Sequence, residues 1–155
     1  MKKAFKIIIS ISFIFYLFAL IVILFLQSRG FDWRSSLPLL EYIKTSSNIV
    51  PFKTIFTYVT AIFNGRMNID IPIKNLVINL LLFLPMGIYL PLFIKKINKT
   101  SLFSIYAIAL LFIVEVVQLL TKRGSFDIDD FILNMVGALI GFAVWKMKVV
   151  QRLLK

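Results

Sequence analysis

LFSIYAIALLFIVEVVQLLTKRGSFDIDDFILNMVGALIGFAVWKMKVV, residues 102–150, holds two apolar runs joined by a polar turn from Thr121 to Asp130. Each run reaches the roughly 20 residues that carry a helix across a bilayer. The pattern is a helical hairpin of two membrane spans, Leu102 to Leu120 and Phe131 to Val150. Two further runs of the same kind, Ile7 to Leu26 and Asn75 to Ile94, bring the number of spans to four. The chain has 155 residues, 60% of them hydrophobic, and a mean hydropathy of +0.93, far into the range of membrane proteins. The expected fold is all-α: a single domain, residues 1–155, forming an integral membrane four-helix bundle. The basic stretch KKAFK at residues 2–6 precedes an apolar run too long for a signal peptide and followed by no small-x-small cleavage site. The first run is therefore read as a retained span.

The formal net charge is +11, and the position of the charges decides what they do. Lys2, Lys3 and Lys6 precede span one; Lys95, Lys96 and Lys99 separate spans two and three; Lys146, Lys148, Arg152 and Lys155 accompany the end of span four. These segments contain no acidic residue. By the positive-inside rule they are cytoplasmic, which puts both termini inside the cell and agrees with an even number of spans. The excess charge then serves topology and affinity for anionic lipid. No basic helix with interleaved reading residues lies outside the spans, so nucleic acid is not an expected partner.

Cysteine and histidine are both absent. That excludes disulfides, Cys or His metal sites and the Ser-His-Asp and Cys-His nucleophile systems. Any site must be built from carboxylates, amides, Arg, Lys, hydroxyls and backbone. No cofactor is expected; a divalent cation held by Glu115, Asp127 and Asp130 is the metal chemistry that this composition permits.

The topology places the segment from Gln27 to Lys74 outside the cytoplasm. Within it Phe52, Ile55, Phe56, Val59, Ile62 and Phe63 recur at helical spacing, with Lys53, Thr54, Thr57 and Thr60 on the other face. This is an amphipathic helix expected at the outer interface, either covering the bundle mouth or acting as a lid. Asn48 suits a cap upstream of it, Pro51 its first turn, and Asn64-Gly65 its end. In span two, Pro85 and Pro91 remove backbone donors, so the helix should kink or unwind, and Gly87 lets a neighbour approach. In span four, Gly137 and Gly141 form a GxxxG packing face.

Polar residues pair along the spans. Glu115 and Gln118 share a face of span three, Asn75 and Asn79 a face of span two, and Asp130 and Asn134 a face at the start of span four. By helical rise, Glu115 lies about 9 Å from the outer end of its span, and Asn79 and Asn134 about 6 Å from theirs. They fall at one depth, and ionisable groups in a span face the bundle rather than lipid. One polar cluster opening outward is expected: Glu115, Gln118, Arg123, Asp130, Asn134 and Asn79. For the amides, cross-helix glue is an equal reading. Asp127, Asp129 and Asp130 also suit capping of span four or a solvated loop.

Three blocks, NIVPFKTI from Asn48, NLLLFLPMGIYLP from Asn79 and EVVQLLTKRGSFDIDDFILNMVGALIG from Glu115, resemble the VanZ-like family of bacterial membrane proteins. The family pattern falls on Asn79, Phe83, Pro85, Gly87, Glu115, Gln118, Arg123, Asp130, Asn134, Gly137 and Gly141. The resemblance implies the fold and a place in the cell envelope. The family is named for a protein associated with low-level teicoplanin resistance, and no agreed catalytic mechanism comes with it.

Three functions compete. In the first, the outer cluster binds or modulates a membrane lipid or lipid-linked cell-wall precursor, with Lys122 and Arg123 on phosphate, Glu115 orienting Arg123, and the amides on sugar or peptide. In the second, a metal-dependent enzyme acts on lipid phosphate through its carboxylates. In the third, the chain is a small transporter gated by Glu115, for which assembly into an oligomer would supply further spans.

Overall fold

In lipid every backbone N–H and C=O must be satisfied within its own segment, so an apolar chain becomes helical. The computed structural model describes residues 3–26, 33–65 and 67–154. Lys2, the side chain of Lys3, Lys155 and residues 27–32 at the start of the long loop lie outside the described residues. Within them, 4 helices are long and apolar enough to cross a membrane: Lys6–Leu26, Asp70–Phe93, Thr100–Leu120 and Ile128–Lys146. The chain is a multi-pass membrane protein.

The first span is α1 (Lys3–Ile21), continued by a π-helical turn (Val22–Leu26). A 3-10 turn (Trp33–Ser36), α2 (Leu39–Thr45), the short strand β1 (Ser47–Asn48) and α3 (Lys53–Asn64) form the loop. Span two is split into α4 (Asp70–Leu82) and α5 (Leu84–Phe93), and span three is α6 (Thr100–Leu120). After β2 (Phe126–Asp127), span four is α7 (Ile128–Lys146), followed by α8 (Lys148–Leu154).

The break in span two follows from Pro85. It has no N–H for the Leu81 carbonyl, and its ring crowds that carbonyl in a continuous helix. Phe83 accordingly leaves the helix at φ −98°, ψ 0°, and its own N–H turns to Leu81 O. The second proline is absorbed inside α5 without a further break. The Leu82 carbonyl at the break receives the Tyr16 hydroxyl of α1 at 2.9 Å, and the Ser12 and Tyr89 hydroxyls meet at 3.0 Å. Phe13 stacks on Phe93 at 4.8 Å, fixing α1 against α5.

The glycines set the centre of the bundle. A Cβ on Gly141 or Gly137 would strike the Leu84 or Leu80 carbonyl oxygen, and one on Gly87 would lie 2.8 Å from the Gly141 carbonyl carbon. Helix α7 therefore lies backbone-to-backbone against both halves of span two. Around this contact sit Phe83, Phe103, Leu111, Ala138, Phe142 and Trp145, all buried, with Phe103 and Phe142 stacked at 4.3 Å. Exposed apolar side chains such as Ile14, Phe15, Ile105 and Ile113 cover the outside, as a lipid-facing surface requires.

Several boundaries differ from the sequence reading. Span two starts at Asp70, where Asn68 Oδ1 accepts the Asp70 N–H at 3.0 Å, rather than at Asn75. Span four runs Ile128–Lys146 rather than 131–150. Its start moves because a helix begins at its cap, not at its first apolar residue. Its end moves because Met147 is extended (ψ 129°), turning the chain so that Val150 and Leu154 of α8 pack on the core. Pro51 precedes α3 by two residues instead of sitting in its first turn, while Gly65, at φ +60°, ends that helix as expected.

Candidate functional site

Five buried polar or charged side chains occur among the described residues: Ser46, Glu115, Gln118, Asp129 and Asn134. All belong to the end of the bundle where α6 turns into α7 and where the loop carrying α2 and α3 docks. Two strands of two residues make that docking: β1 and β2 pair in parallel, Ser47 opposite Phe126 and Asn48 opposite Asp127. The Tyr42 hydroxyl donates to Gly124 O at 2.9 Å from a buried ring. Lys122, in the left-handed conformation at φ 53°, donates its ammonium to Leu37 O at 2.6 Å and Ser35 O at 3.2 Å. Its charge thus anchors the loop.

The aspartates divide their work by register. Asp127 is the N-cap of α7: its Oδ1 accepts the Asp129 N–H at 2.9 Å and the Asn48 amide at 3.0 Å. Its Oδ2 accepts the Thr54 hydroxyl at 2.7 Å. Asp129, 0% exposed, turns the other way, onto the N-terminus of α3. Its Oδ1 accepts the Phe52 N–H at 2.5 Å, and its Oδ2 accepts Thr54 N–H at 2.7 Å and Ile55 N–H at 3.1 Å. The first-turn donors of a helix have no partner of their own, and Phe52 as N-cap offers no side-chain acceptor. A carboxylate from α7 supplies what α3 lacks and complements its dipole. Phe52 is held at φ 64°, a left-handed geometry costly for a side chain with a Cβ and maintained by its surroundings.

Asp130, one residue on, faces α4, and its carboxylate accepts the Asn79 amide across the two helices. Tyr58 of α3 is close to this pair. Burial first, then the negative charges of Asp130 and Asp127, pushes the Tyr58 phenol above its ordinary value. Deeper in the bundle, the Gln118 amide donates to Leu24 O at 2.9 Å, satisfying a carbonyl of the π-helical turn that ends α1. Glu115, one turn below on α6, and Asn134 on α7 are each 4% exposed. Asn134 Oδ1 is buried with no hydrogen-bond partner among the described residues.

The structure brings together Asn79 with Asp130, Asn48 with Asp127, and Gln118 with the end of α1. Arg123 stays exposed in the turn, its backbone N–H on Gln118 O at 2.9 Å. Among the described residues no group of three or more carboxylates is placed to hold a metal ion, so Glu115, Asp127 and Asp130 are not gathered around one point. Asn48 reaches the start of α3 through Thr54 Oγ1 at 3.1 Å and turns back to Val50 N–H, rather than capping the helix directly. Sequence reasoning missed Asp129 as the cap of α3, together with Tyr58, Tyr42 and Thr54. The only sequence signal for the clasp is the Asp-x-Asp at the start of α7, which reads equally well as a local cap.

A four-helix membrane bundle with its buried polar side chains gathered at one end, under a short helix clasped by aspartates from span four, defines a small polytopic protein with an end-on polar site. The profile of the VanZ/LLP1 family matches residues 13–151, and the chain belongs to that family. No curated protein and no solved structure matches it.

Proposed function

We propose that the chain binds the polar head of an envelope lipid or lipid-linked cell-wall precursor at the end of the bundle that holds its acidic residues. The carrying observation is the segregation of the buried polar set, Glu115, Gln118, Asp129 and Asn134, to that end, with Asn79 and Asp130 joined beside it. Amides, carboxylates and the Tyr58 phenol suit the hydroxyls, amides and amines of sugars and peptides. Arg123, exposed at the turn, is the cation for phosphate, since Lys122 is engaged with loop carbonyls. The basic end faces the cytoplasm with both termini, following the positive-inside rule. The end that holds the acidic residues then faces outward, where such precursors are used. The exposed row Phe52, Phe56, Val59 and Phe63 supports reading α3 as a helix of the outer interface. Membership of the VanZ/LLP1 family makes teicoplanin susceptibility the natural cellular readout.

The test compares wild type with Asn79→Ala, Glu115→Gln and Arg123→Ala for retention of a lipid-linked cell-wall precursor by native mass spectrometry. Glycopeptide susceptibility is measured at matched protein levels. Loss of precursor is expected in all three variants while each still melts cooperatively as a folded bundle. Equal retention by all four proteins would sink the proposal.

A further inference from the structure

At the opposite end of the bundle lies a cavity of about 500 Å³ that the polar cluster does not use. Lys6 of α1, Pro91 and Leu92 of α5, Lys95 and Asn98 of the connection that follows it, Trp145 of α7 and Leu154 of α8 line it. This volume is within the roughly 300–1,000 Å³ typical of small-ligand sites. We infer that this cavity is a binding site for an anionic phospholipid, whose headgroup phosphate engages Lys6 and Lys95 and whose acyl chain runs along Pro91, Leu92 and Leu154.

Charge is the first support. All 7 acidic residues of the chain lie between positions 32 and 130, and none is in the segments that form this end. An anion entering here meets only cations. The second support is the state of those cations. Lys146 is engaged, its ammonium bonded to the Asn98 carbonyl and, at 3.2 Å, to Asn98 Oδ1, which fixes the connection between α5 and α6. Lys6 and Lys95, by contrast, make no hydrogen bond or ion pair among the described residues. The third is the lining itself: apolar side chains and an indole adjoin two ammonium groups, the pairing that a lipid with one charged and one hydrocarbon part requires. The bend at Met147 matters here, because it brings α8 back so that Leu154 forms part of the wall. This site is distinct from the end that holds the acidic residues, both in position and in having no carboxylate in the segments that form it.

The experiment uses the full chain in detergent, with phosphatidylglycerol and phosphatidylcholine of identical acyl chains titrated and read by native mass spectrometry. Two lysines at an anionic lipid carry together a roughly 30-fold preference. Wild type should favour phosphatidylglycerol by that order, and Lys6→Gln/Lys95→Gln should bring the preference close to unity. Lys148→Gln/Arg152→Gln, which removes equal charge from residues that do not line the cavity, should keep it within about threefold of wild type. Leu92→Trp, which fills the cavity without changing charge, should weaken retention of both lipids. Four results would overturn the inference. These are a preference that survives the Lys6/Lys95 change, an equal loss in the Lys148/Arg152 control, lipid retention untouched by Leu92→Trp, and glycerol 3-phosphate alone binding as tightly as the lipid.

Discussion

Replacing Asp129 by Ala should detach the start of α3 without dismantling the bundle. Asp129 is 0% exposed and accepts three backbone N–H groups, from Phe52, Thr54 and Ile55, at 2.5, 2.7 and 3.1 Å. Hydrogen bonds to a charged acceptor contribute roughly 1.5–3 kcal/mol each when the alternative is an unsatisfied group. Their simple sum overstates the loss, because Phe52 is exposed and water reaches the released donors. A helix cap is worth about 1–2 kcal/mol by itself. Between these bounds a cost of about 3 kcal/mol is expected, or roughly 150-fold in the opening equilibrium. Amide hydrogen exchange at Phe52, Thr54 and Ile55 measures that opening directly and does not depend on global two-state unfolding. Exchange at those amides should accelerate about 150-fold in Asp129→Ala, while amides in the centre of α7 stay protected. Asp129→Asn keeps one acceptor but presents an amide donor to a donor, so it should fall between. Exchange within about threefold of wild type in Asp129→Ala would show that the carboxylate does not hold α3, and the clasp would be wrong.

Gly137→Ala and Gly141→Ala put a Cβ onto the Leu80 and Leu84 carbonyl oxygens, backbone atoms that cannot swing aside, and should each cost about 1–3 kcal/mol. Melts in detergent that match wild type for both would disprove the backbone contact. Gln118→Ala leaves Leu24 O without its donor and should cost about 0.6–1.7 kcal/mol, read by the same melts. No change there would mean that the carbonyl is satisfied otherwise. Tyr58, whose phenol is raised in the folded chain, contributes stability that is full below its unfolded value of 10.0 and lost as pH rises through the folded value. Stability of Tyr58→Phe should therefore fall less steeply above about pH 10 than wild type; identical alkaline slopes would refute that.

Much of the bundle is legible in the sequence because lipid imposes one rule on every span: length and hydropathy suffice to find all four. Pro85 likewise announces the break in span two, since a missing N–H is a local property of the residue. The start of span four is misjudged for the opposite reason. Ile128, Asp129 and Asp130 look like loop by hydropathy, yet they are helical once Asp127 caps them. The end of span four is missed because the turn at Met147 carries neither Gly nor Pro and is set by where α8 packs. The site is half-visible: helical periodicity puts Asp130 and Asn134 on one face, but cannot say that Asp130 meets Asn79 on another helix.

By itself the sequence determined a four-span helical chain with its acidic residues confined to one end, a split second span and a close-packed glycine face on the fourth. These follow from composition, period and single-residue chemistry, which act locally. Only the tertiary structure decided what each aspartate does. Asp127, Asp129 and Asp130 are near neighbours in sequence, yet they cap α7, cap α3 and bind Asn79. Side chains on one helical turn point in different directions, and a residue 75 positions away in the chain can be the partner that matters.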